Sequence, residues 1–509
     1  MKKIFLIAAV AFLNSACVEL DLIPSSSINK DNFYKTEEDA LTAVNGIYSI
    51  LTKWPTDFYG MYSNLSLYLG DLTTEYVKAG ANTNSMFIRQ LSNSGVQPGN
   101  VFMECGWAES YIGINRANIV IDKLADSELP DNVKNRLSNE AKYLRALFYF
   151  NIVRWWGDAP LILHDGDGEG APRDNVDVLY AQIVEDLEDA AKLPDEFSGS
   201  ASGRATNGAA IATLSKVYLT WAQTDSEQGK AKQAEFYQKS IDYANQVITS
   251  GKYRLLEDFR DNFNVTKKNG PEHIFSIQHS EKDNVTGHCT FAMGWSNSEP
   301  VLIVNDLKFY QIFDDADQRK TGSYAKTLYH PAGDSLFVFN VPLFRKYIDT
   351  INFANDQYAG RNMNTLYIRY AEVLLIKAES ENELRGPTSE AYEAINQVRR
   401  RAYKQFPLTA SSPYDLSGLT KEQFREKLQA ERFLELVLEG HHWFDLVRWR
   451  KLVQTVKPYK PDASARNYLF PIPTDQLILN PGLTQNWGYN GGEGTNPYRD
   501  YEPGYTDKE

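Results

Sequence analysis

Apolar side chains recur every three or four positions through much of the chain, which is the period of an amphipathic helix. The clearest run begins at Asn135 and stops at Gly157, with apolar residues at Leu137, Ala141, Leu144, Phe148, Ile152 and Trp155. An earlier run ends near Leu51, and either Asp31 or Thr36 is suited to be its N-cap. The same period predicts helices over residues 175–193, 206–223, 231–250, 365–385, 389–404, 421–439 and 441–452.

Several of these helices have the length and spacing of antiparallel pairs joined by short turns. Gly208–Ala222 is predicted to pair with Lys232–Ser250, and Leu366–Arg385 with Ser389–Tyr403. Pairs of this size are typical of tetratricopeptide-like units, which stack so that each buries its apolar face against the next. The pattern therefore predicts an all-α, tetratricopeptide-like helical repeat scaffold.

Three parts of the chain break the helical period. Residues 52–104 are rich in Gly, Asn, Ser and Tyr and are predicted to form a long irregular excursion, a kind of loop that often carries function. Between residues 251 and 364, short β-like runs such as His273–Gln278 and Leu336–Val341 alternate with loops. The Pro-punctuated tail from Pro461 is predicted to be extended and to pack back along the scaffold.

Two carboxylates, Glu431 and Glu435, lie on the apolar stripe of the helix predicted before Gly440, which is expected to end that helix. They could form a general acid/base pair, or they could be buried ion-pair partners. The second interpretation is favoured because charged side chains are seldom buried unpaired. The sequence offers five arginines as partners: Arg399, Arg400, Arg401, Arg432 and Arg448.

The N-terminus has the pattern of an export signal. Two lysines precede the apolar run Ile4–Leu13, which is too short to span a bilayer and suits the core of a signal peptide. Asn14–Cys17 then resembles a bacterial lipobox, which predicts a signal peptide over residues 1–16 and acylation of Cys17. Residues 17–30 would be a lipidated flexible tether. An ordinary signal peptide with an incidental cysteine is the alternative.

Charge and composition reduce the number of possible function classes. The chain has 509 residues and a net charge of −13, so it lacks the basic stripe that nucleic-acid binding requires. It also has 30 Tyr, 25 Phe and 9 Trp, more rings than a core alone needs. Flat amphipathic rings bind ligands at low entropic cost, so some of them are predicted to face a ligand.

Sequence signals for catalysis or a cofactor are weak. No phosphate loop or Gly-x-Ser-x-Gly elbow is present, and the adjacent His441 and His442 point in different directions on a helix. Asp165–Gly170 imitates half of a calcium loop, but Val176 occupies the place of the closing glutamate, so a solvated turn is favoured. Cys105 and Cys289 are expected to be free, buried thiols. No cofactor is predicted.

Several stretches together resemble the SusD/RagB family of surface lipoproteins, and the resemblance extends over nearly the whole chain. They are Asn139–Phe150, Trp156–Leu161, Gly203–Thr206, Tyr367–Leu375, Glu435–Arg450 and Tyr468–Pro481. The resemblance implies one SusD-like domain over residues 31–509, with an irregular, loop-rich ligand-binding face. Its expected parts are a helical scaffold over about 31–51, 105–250 and 365–455, a loop-rich insertion over about 251–364, and an extended C-terminal segment over 461–509.

The same resemblance implies a function. Family members capture nutrient, usually oligosaccharide, at the outer surface of the outer membrane and deliver it to a SusC-like TonB-dependent transporter without acting as enzymes. Some relatives bind peptides, so a peptide ligand stays open. A surface glycoside hydrolase is a third hypothesis, and it would need two acids facing a sugar cleft.

The family's ligand sites usually draw on two loops, which correspond here to about Asp71–Gln90 and Gly287–Ser298. In the second loop, Trp295 is the first candidate for a platform on which a sugar ring stacks, and Phe291 is the second. The candidates from the first loop are Tyr76, Asn82 and Arg89. For each of the five the alternative is a structural role, which for Trp295 means a ring buried under the insertion.

Overall fold

A computed structural model describes residues 34–52, 60–81, 83–280, 301–329, 336–348 and 362–501. Most of these residues are helical. The helices are α1 Glu37–Tyr48, α2 Met86–Ser92, α3 Val101–Ala125, α4 Asp131–Trp156, α5 Val176–Ala190, α6 Asn207–Ala222, α7 Glu227–Ala231, α8 Gln233–Thr249, α9 Lys308–Gln311, α10 Gln318–Ser323, α11 Tyr370–Arg385, α12 Ser389–Ala402, α13 Lys421–Leu436, α14 His442–Arg448, α15 Leu452–Val456 and α16 Thr474–Leu479.

The strands are short and pair in twos. They are β1 Val77–Ala79, β2 His273–Ile277, β3 Leu302–Val304, β4 Tyr324–Tyr329, β5 Leu336–Phe344 and β6 Thr365–Arg369. All three pairs, β1 with β3, β2 with β6 and β4 with β5, are antiparallel. The mostly helical architecture confirms the predicted fold class.

The predicted pairing of α6 with α8 is confirmed. The hydroxyls of Ser215 and Ser240 each donate to the other residue's carbonyl oxygen, at 2.8 Å. Gln233, which begins α8, donates to the carbonyl of Ala222 at the end of α6, so the two helices run antiparallel. Small side chains allow this close approach, and they also join α8 to α11, where Ser380 bonds Ser240.

Thr36 caps α1, which settles one of the two predicted N-caps. The Thr36 hydroxyl accepts from the Asp39 amide at 3.1 Å, and the Asp39 carboxylate accepts from the Thr36 amide at 3.0 Å. This reciprocal capping box satisfies two amides that the first turn of a helix leaves unpaired. Asp31 lies outside the described residues.

The helix predicted from residue 365 begins later, at Tyr370. Residues Thr365–Arg369 form β6 instead and pair with β2, and every residue of both strands is buried. β-Branched and aromatic residues such as Thr365, Tyr367 and Ile368 suit a buried strand, and the available partner strand decides the local structure.

The prediction of a long irregular excursion over residues 52–104 is wrong for much of the part of that range that the structure describes. Two π-helical turns, Met61–Leu65 and Tyr68–Leu72, are buried, and α2 and the start of α3 follow them. The Tyr68 ring packs edge-on against Phe102 with 5.0 Å between ring centroids. Hydrogen bonds from i to i+5 give a wider turn than 3.6 residues, so the apolar spacing does not look helical in sequence.

Helix α13 ends at Leu436 rather than at Gly440. Val437 is extended, and Leu438 and Gly440 have positive φ angles of 57° and 78°. Two side chains from the π-helical region satisfy the backbone there: Tyr76 accepts from the Leu438 amide, and Asp71 accepts from the Gly440 amide. A contact between distant parts of the chain therefore ends this helix.

The C-terminal segment packs back on the scaffold, as predicted. The Phe470 amide donates to the Trp155 carbonyl at 2.8 Å, and the Trp156 indole donates to the Pro471 carbonyl at 3.0 Å. Asn486 then binds the carbonyls of both Trp156 and Phe470. Within the described part of the chain, no helix combines the length and apolar character needed to cross a membrane.

Candidate functional site

The first predicted ligand loop, Asp71–Gln90, contains β1, which pairs with β3, a strand that follows the second predicted loop, Gly287–Ser298, in sequence. Val77 pairs with Val304 and Ala79 with Leu302, and the Gly80 amide donates to the Val301 carbonyl at 2.9 Å. We call this sheet with Gly80 and Val301 the loop base. Because the strands are antiparallel, the chain leaving Gly80 and the chain arriving at Val301 lie side by side.

Helix α2 supports the first of these loops. Arg89 is exposed, and its guanidinium donates to the Ala81 carbonyl at 2.9 Å. The Ser92 hydroxyl accepts from the Ala79 amide at 3.0 Å, so the same helix also fixes β1. Among the predicted ligand residues, Arg89 is the one that the structure places at the surface beside the loop base.

The prediction that Tyr76 contacts ligand is corrected by its position. The ring has no exposed surface, and its hydroxyl accepts from the Leu438 amide at 2.9 Å. Edge-on contacts with Phe344, Phe433 and His442 enclose it. Phe433 belongs to α13 and His442 to α14, so packing against these two helices places the ring in the core.

Four other predicted residues lie outside the described part of the chain. They are the ligand-loop residues Asn82, Phe291 and Trp295 and the acylation candidate Cys17. For these residues the sequence predictions stand as predictions.

A group of buried titratable side chains lies directly under the loop base, and the sequence interpretation missed it. We call it the sub-base cluster: Asp71, Glu75, Tyr76, His442 and Lys460. His442 Nε2 lies 2.8 Å from Glu75 Oε1, and Asp71 Oδ2 accepts from the Gly440 amide at 2.7 Å. Lys460 donates to the Leu72 carbonyl. Its members come from positions up to 389 apart, so no local spacing in the sequence could have indicated the cluster.

Burial favours the uncharged forms of Asp71 and Lys460. It raises the pKa of Asp71 to about 7 and lowers the pKa of Lys460 to about 7, because each charged form loses hydration. Burial opposes the charged form of His442 as well, but the adjacent Glu75 carboxylate more than compensates and raises the pKa of that imidazole.

We expect Asp71→Asn to change how stability depends on pH. An acid whose pKa is raised by folding keeps its proton in the fold after the unfolded chain has lost it. Asp71 therefore reduces the free energy of unfolding as pH rises from 3.8 to about 7, by up to about 1.4 kcal/mol per pH unit. Asparagine keeps the oxygen that accepts from Gly440 and stays neutral.

Urea unfolding between pH 4 and pH 8 measures this effect. The free energy of unfolding of Asp71→Asn, relative to the parent, is expected to increase from pH 4 to about 7 and to level off above that pH. Asp167→Asn, at an exposed turn position, is the matched control and should show no such trend. A difference between Asp71→Asn and the parent that is the same at every pH would contradict the assignment.

The carboxylates Glu431 and Glu435 are paired with arginines, as the favoured interpretation predicted. Glu431 binds Arg319 at 2.6 Å and Arg399 at 2.7 Å. Glu435 contacts Arg319 at 3.1 Å and also binds Arg369 and Arg401. All four oxygens of the two groups are thus occupied by guanidinium groups in the core, which leaves no carboxylate edge for a substrate.

Some of the partners differ from those offered by the sequence. Arg400 binds Asp415 and Glu393, while Arg432 and Arg448 both bind Asp445. Arg319 and Arg369 were missed because they lie 116 and 66 positions from Glu435. Together the buried ion network comprises Glu272, Asp317, Arg319, Lys346, Arg369, Arg399, Arg401, Glu431, Glu435 and Glu439.

The remaining chemical candidates have ordinary structural surroundings. His441 Nδ1 lies 3.3 Å from Lys216 Nζ, whereas His442 faces Glu75. Residues Asp165–Gly170 form turns, and the described ranges contain no cluster of three or more metal-ligating side chains. Cys105 is a buried free cysteine, and burial raises the pKa of its thiol to about 12. Cys289 lies outside the described residues.

Comparison with protein families matches both halves of the chain. The model described as "SusD family" matches residues 219–489, and the model described as "Starch-binding associating with outer membrane" matches residues 31–219. A SusD-like protein from Formosa agariphila, P2, is 28% identical over 519 aligned positions, which cover 92% of this chain and 96% of that protein.

Solved structures share the fold. A SusD homologue from Bacteroides thetaiotaomicron superposes with a TM-score of 0.77 at 24% identity, covering 90% of this chain and 98% of that one. A structure titled "Laminarin binding SusD-like protein" superposes with a TM-score of 0.72 at 23% identity, covering 90% of this chain and all (100%) of the other. The described helices thus form the tetratricopeptide-like scaffold of these proteins.

Proposed function

Because this chain belongs to the SusD family, we propose that it is a non-catalytic, surface-exposed glycan-binding lipoprotein. In this role it captures oligosaccharides and passes them to a SusC-like TonB-dependent transporter of the outer membrane. The family descriptions support a carbohydrate ligand and an association with the outer membrane. Binding of a glycan rather than a peptide, and its delivery to a transporter, are part of the proposal.

The loop base is the observation that carries this proposal. It joins the start of the predicted loop that contains Asn82, which is followed by the helix that carries Arg89, to the chain that comes after Phe291 and Trp295 in sequence. The sequence next to this sheet therefore offers aromatic rings, an amide and a guanidinium. Rings cover the apolar faces of sugars, and the polar groups bind hydroxyls, so this combination suits a glycan.

The carboxylates support a binding role over glycoside hydrolysis. A glycosidase needs two acids across a cleft, one of them protonated near neutral pH. Although burial opposes the charged form, the surrounding guanidinium groups hold the pKa of Glu435 far below its usual range. The side chain is also fully buried. The pair most prominent in the sequence is therefore unsuited to proton transfer.

Membrane attachment is proposed through Cys17. The apolar run Ile4–Leu13 followed by Asn14–Cys17 supports cleavage and acylation at this cysteine. The family description of outer-membrane association supports the destination. Acyl chains would hold the protein on the membrane, and the predicted tether over residues 17–30 would link the anchor to the folded domain.

The Trp295→Ala variant tests the glycan site. Loss of a stacking ring at the centre of a site is expected to cost about 2 kcal/mol of binding free energy, or roughly a thirtyfold rise in Kd. Isothermal titration of the purified protein against a panel of polysaccharides that includes laminarin measures this. Chromatography of the recovered glycan should show it uncleaved.

Phe406→Ala is the matched control, since it removes a ring that is 42% exposed outside the predicted ligand loops. It should leave the Kd unchanged. Equal affinities for Trp295→Ala and Phe406→Ala would remove Trp295 from the site. Peptide binding with no glycan binding across the panel would favour the peptide hypothesis, and shortened glycan products would favour the hydrolase.

A further inference from the structure

A cavity of about 240 Å³ lies inside the helical scaffold, away from the loop base. Helices α4, α5, α6, α11, α13 and α14 form its walls, and Tyr468, Tyr498 and Tyr501 of the C-terminal segment line one side. We call it the scaffold cavity. Tyr498 and Tyr501 are half-buried. Its lining is mostly apolar with a few converging polar groups, as in small-molecule sites generally.

Two buried charged side chains that line this cavity have polar atoms without a hydrogen-bond partner among the described residues. Glu372 Oε1 lies 3.0 Å from Lys216 Nζ and 3.6 Å from Arg432 Nη2, whereas Glu372 Oε2 has no such partner. Arg432 binds Asp445 through Nε and Nη2, and its Nη1 is likewise unpartnered within the described ranges. Glu372 is 0% and Arg432 3% exposed. A buried unpaired acceptor and donor are costly unless something binds them.

Ion pairs already hold the carboxylates that line the cavity. Asp225 lies 2.9 Å from Arg450, Glu372 lies 3.0 Å from Lys216, and Asp445 binds both Arg432 and Arg448. Burial lowers the pKa of His441, which also lines the cavity, to about 4, so that ring is neutral at pH 7. A charged ligand would compete with these pairs, whereas a neutral one leaves them intact, so the lining favours a neutral ligand.

Aromatic rings also line the cavity and provide apolar surfaces for a ligand. Tyr468 is stacked on Tyr498 with 5.2 Å between centroids and meets Tyr501 edge-on at 4.9 Å. Phe444 forms a further part of the wall. Such rings cover the C–H faces of a sugar ring, while its hydroxyls both donate and accept hydrogen bonds. Sites for drug-sized ligands have volumes of about 300–1,000 Å³, so the cavity suits one ring and not an oligosaccharide.

We propose that the scaffold cavity is a second carbohydrate site, which binds one neutral monosaccharide. A sugar hydroxyl would donate to Glu372 Oε2, and a sugar oxygen would accept from Arg432 Nη1. The tyrosines of the C-terminal segment would cover the ring. This site is separate from the loop base, and the class of its ligand is inferred from the residues that line the cavity.

The test uses purified full-length protein with D-glucose, D-galactose, D-mannose and D-xylose as probes. Saturation-transfer NMR identifies a bound sugar, and titration gives its Kd. Val176→Trp introduces an indole at a half-buried lining position and is expected to raise the Kd at least about tenfold. Val178→Trp places the same ring two positions along α5, at a side chain that is 47% exposed and does not line the cavity, and should leave the Kd unchanged.

A second variant covers the case in which the tryptophan prevents folding. Tyr498→Ala removes a half-buried ring that lines the cavity, leaves the buried ion pairs intact, and is also expected to raise the Kd about tenfold. Melting curves of all variants check that they are folded. No binding of any of the four sugars to the parent would overturn the proposal, as would a Kd unchanged in both lining variants.

Trp295→Ala separates this site from the surface site. Monosaccharide binding that survives Trp295→Ala but is lost in Val176→Trp supports the scaffold cavity, even if the oligosaccharide panel shows no binding. Monosaccharide binding lost in Trp295→Ala and kept in Val176→Trp would place the sugar at the surface, which overturns the second site and leaves the proposed function intact.

Discussion

Replacing Glu435 with glutamine is expected to lower the free energy of unfolding by about 3–5 kcal/mol, the cost of breaking a buried ion pair. The side chain is fully buried and contacts Arg319, Arg369 and Arg401. Glutamine preserves the shape but removes the negative charge, so three guanidinium groups share fewer carboxylates in a medium that solvates them poorly.

Urea unfolding at pH 7 measures the loss, with Glu426→Gln as the matched control. Glu426 is exposed on the same helix, so its change should be within about 0.5 kcal/mol of zero. A loss below about 1 kcal/mol for Glu435→Gln would show that the network relaxes around an amide.

The pH dependence provides a second check on this variant. The folded pKa of Glu435 is depressed from its ordinary 4.5, so its contribution is present above that pH and is lost as pH falls towards the folded pKa. The difference between Glu435→Gln and the parent should therefore become smaller below pH 4.5. A difference that stays constant into acid would indicate a loss of packing rather than a loss of charge.

Gly70→Ala is expected to destabilise the protein by more than about 3 kcal/mol, which is the upper end for overpacked cores. A Cβ at this position would lie 2.4 Å from the Gly440 carbonyl oxygen and 2.7 Å from its carbon. Both obstructions are backbone atoms, which cannot rotate away as a side chain could. The π-helical turn and the segment after α13 would have to separate.

The measurement is the soluble yield and the melting temperature of the variant. Gly99→Ala is the control, because a Cβ there meets no atom within 4 Å, and it should behave like the parent. Since Asp71 holds the Gly440 amide next to this contact, we also expect Gly70→Ala to disturb the sub-base cluster. A melting temperature equal to that of Gly99→Ala would show that the two backbones can separate without loss of stability.

The sequence alone determined the helical scaffold, because helix formation depends on neighbours three and four positions away. The run from Asn135 to Gly157 predicts most of α4, and the small residues of α6 and α8 predict their close pairing. The pairing of Glu431 and Glu435 with arginines was also predictable, since buried charge needs a partner wherever the chain provides one.

Tertiary structure decided everything that depends on residues far apart in the chain. It selected Arg319 as a partner of both carboxylates, made Thr365–Arg369 a strand by providing β2, and ended α13 at Leu436 through contacts from Asp71 and Tyr76. The same long-range packing buried Tyr76, which the family resemblance had placed in a ligand loop.

Some features of the candidate site are likewise visible in the sequence, and others only in the tertiary structure. The residue types that suit a glycan are visible in the sequence, because rings and amides are a property of composition. The pairing of Gly80 with Val301, and the meeting of Glu372 with Arg432 and the C-terminal tyrosines at one cavity, are visible only in the tertiary structure. Local periodicity fixes each helix, but only the packing of those helices brings distant side chains to one place.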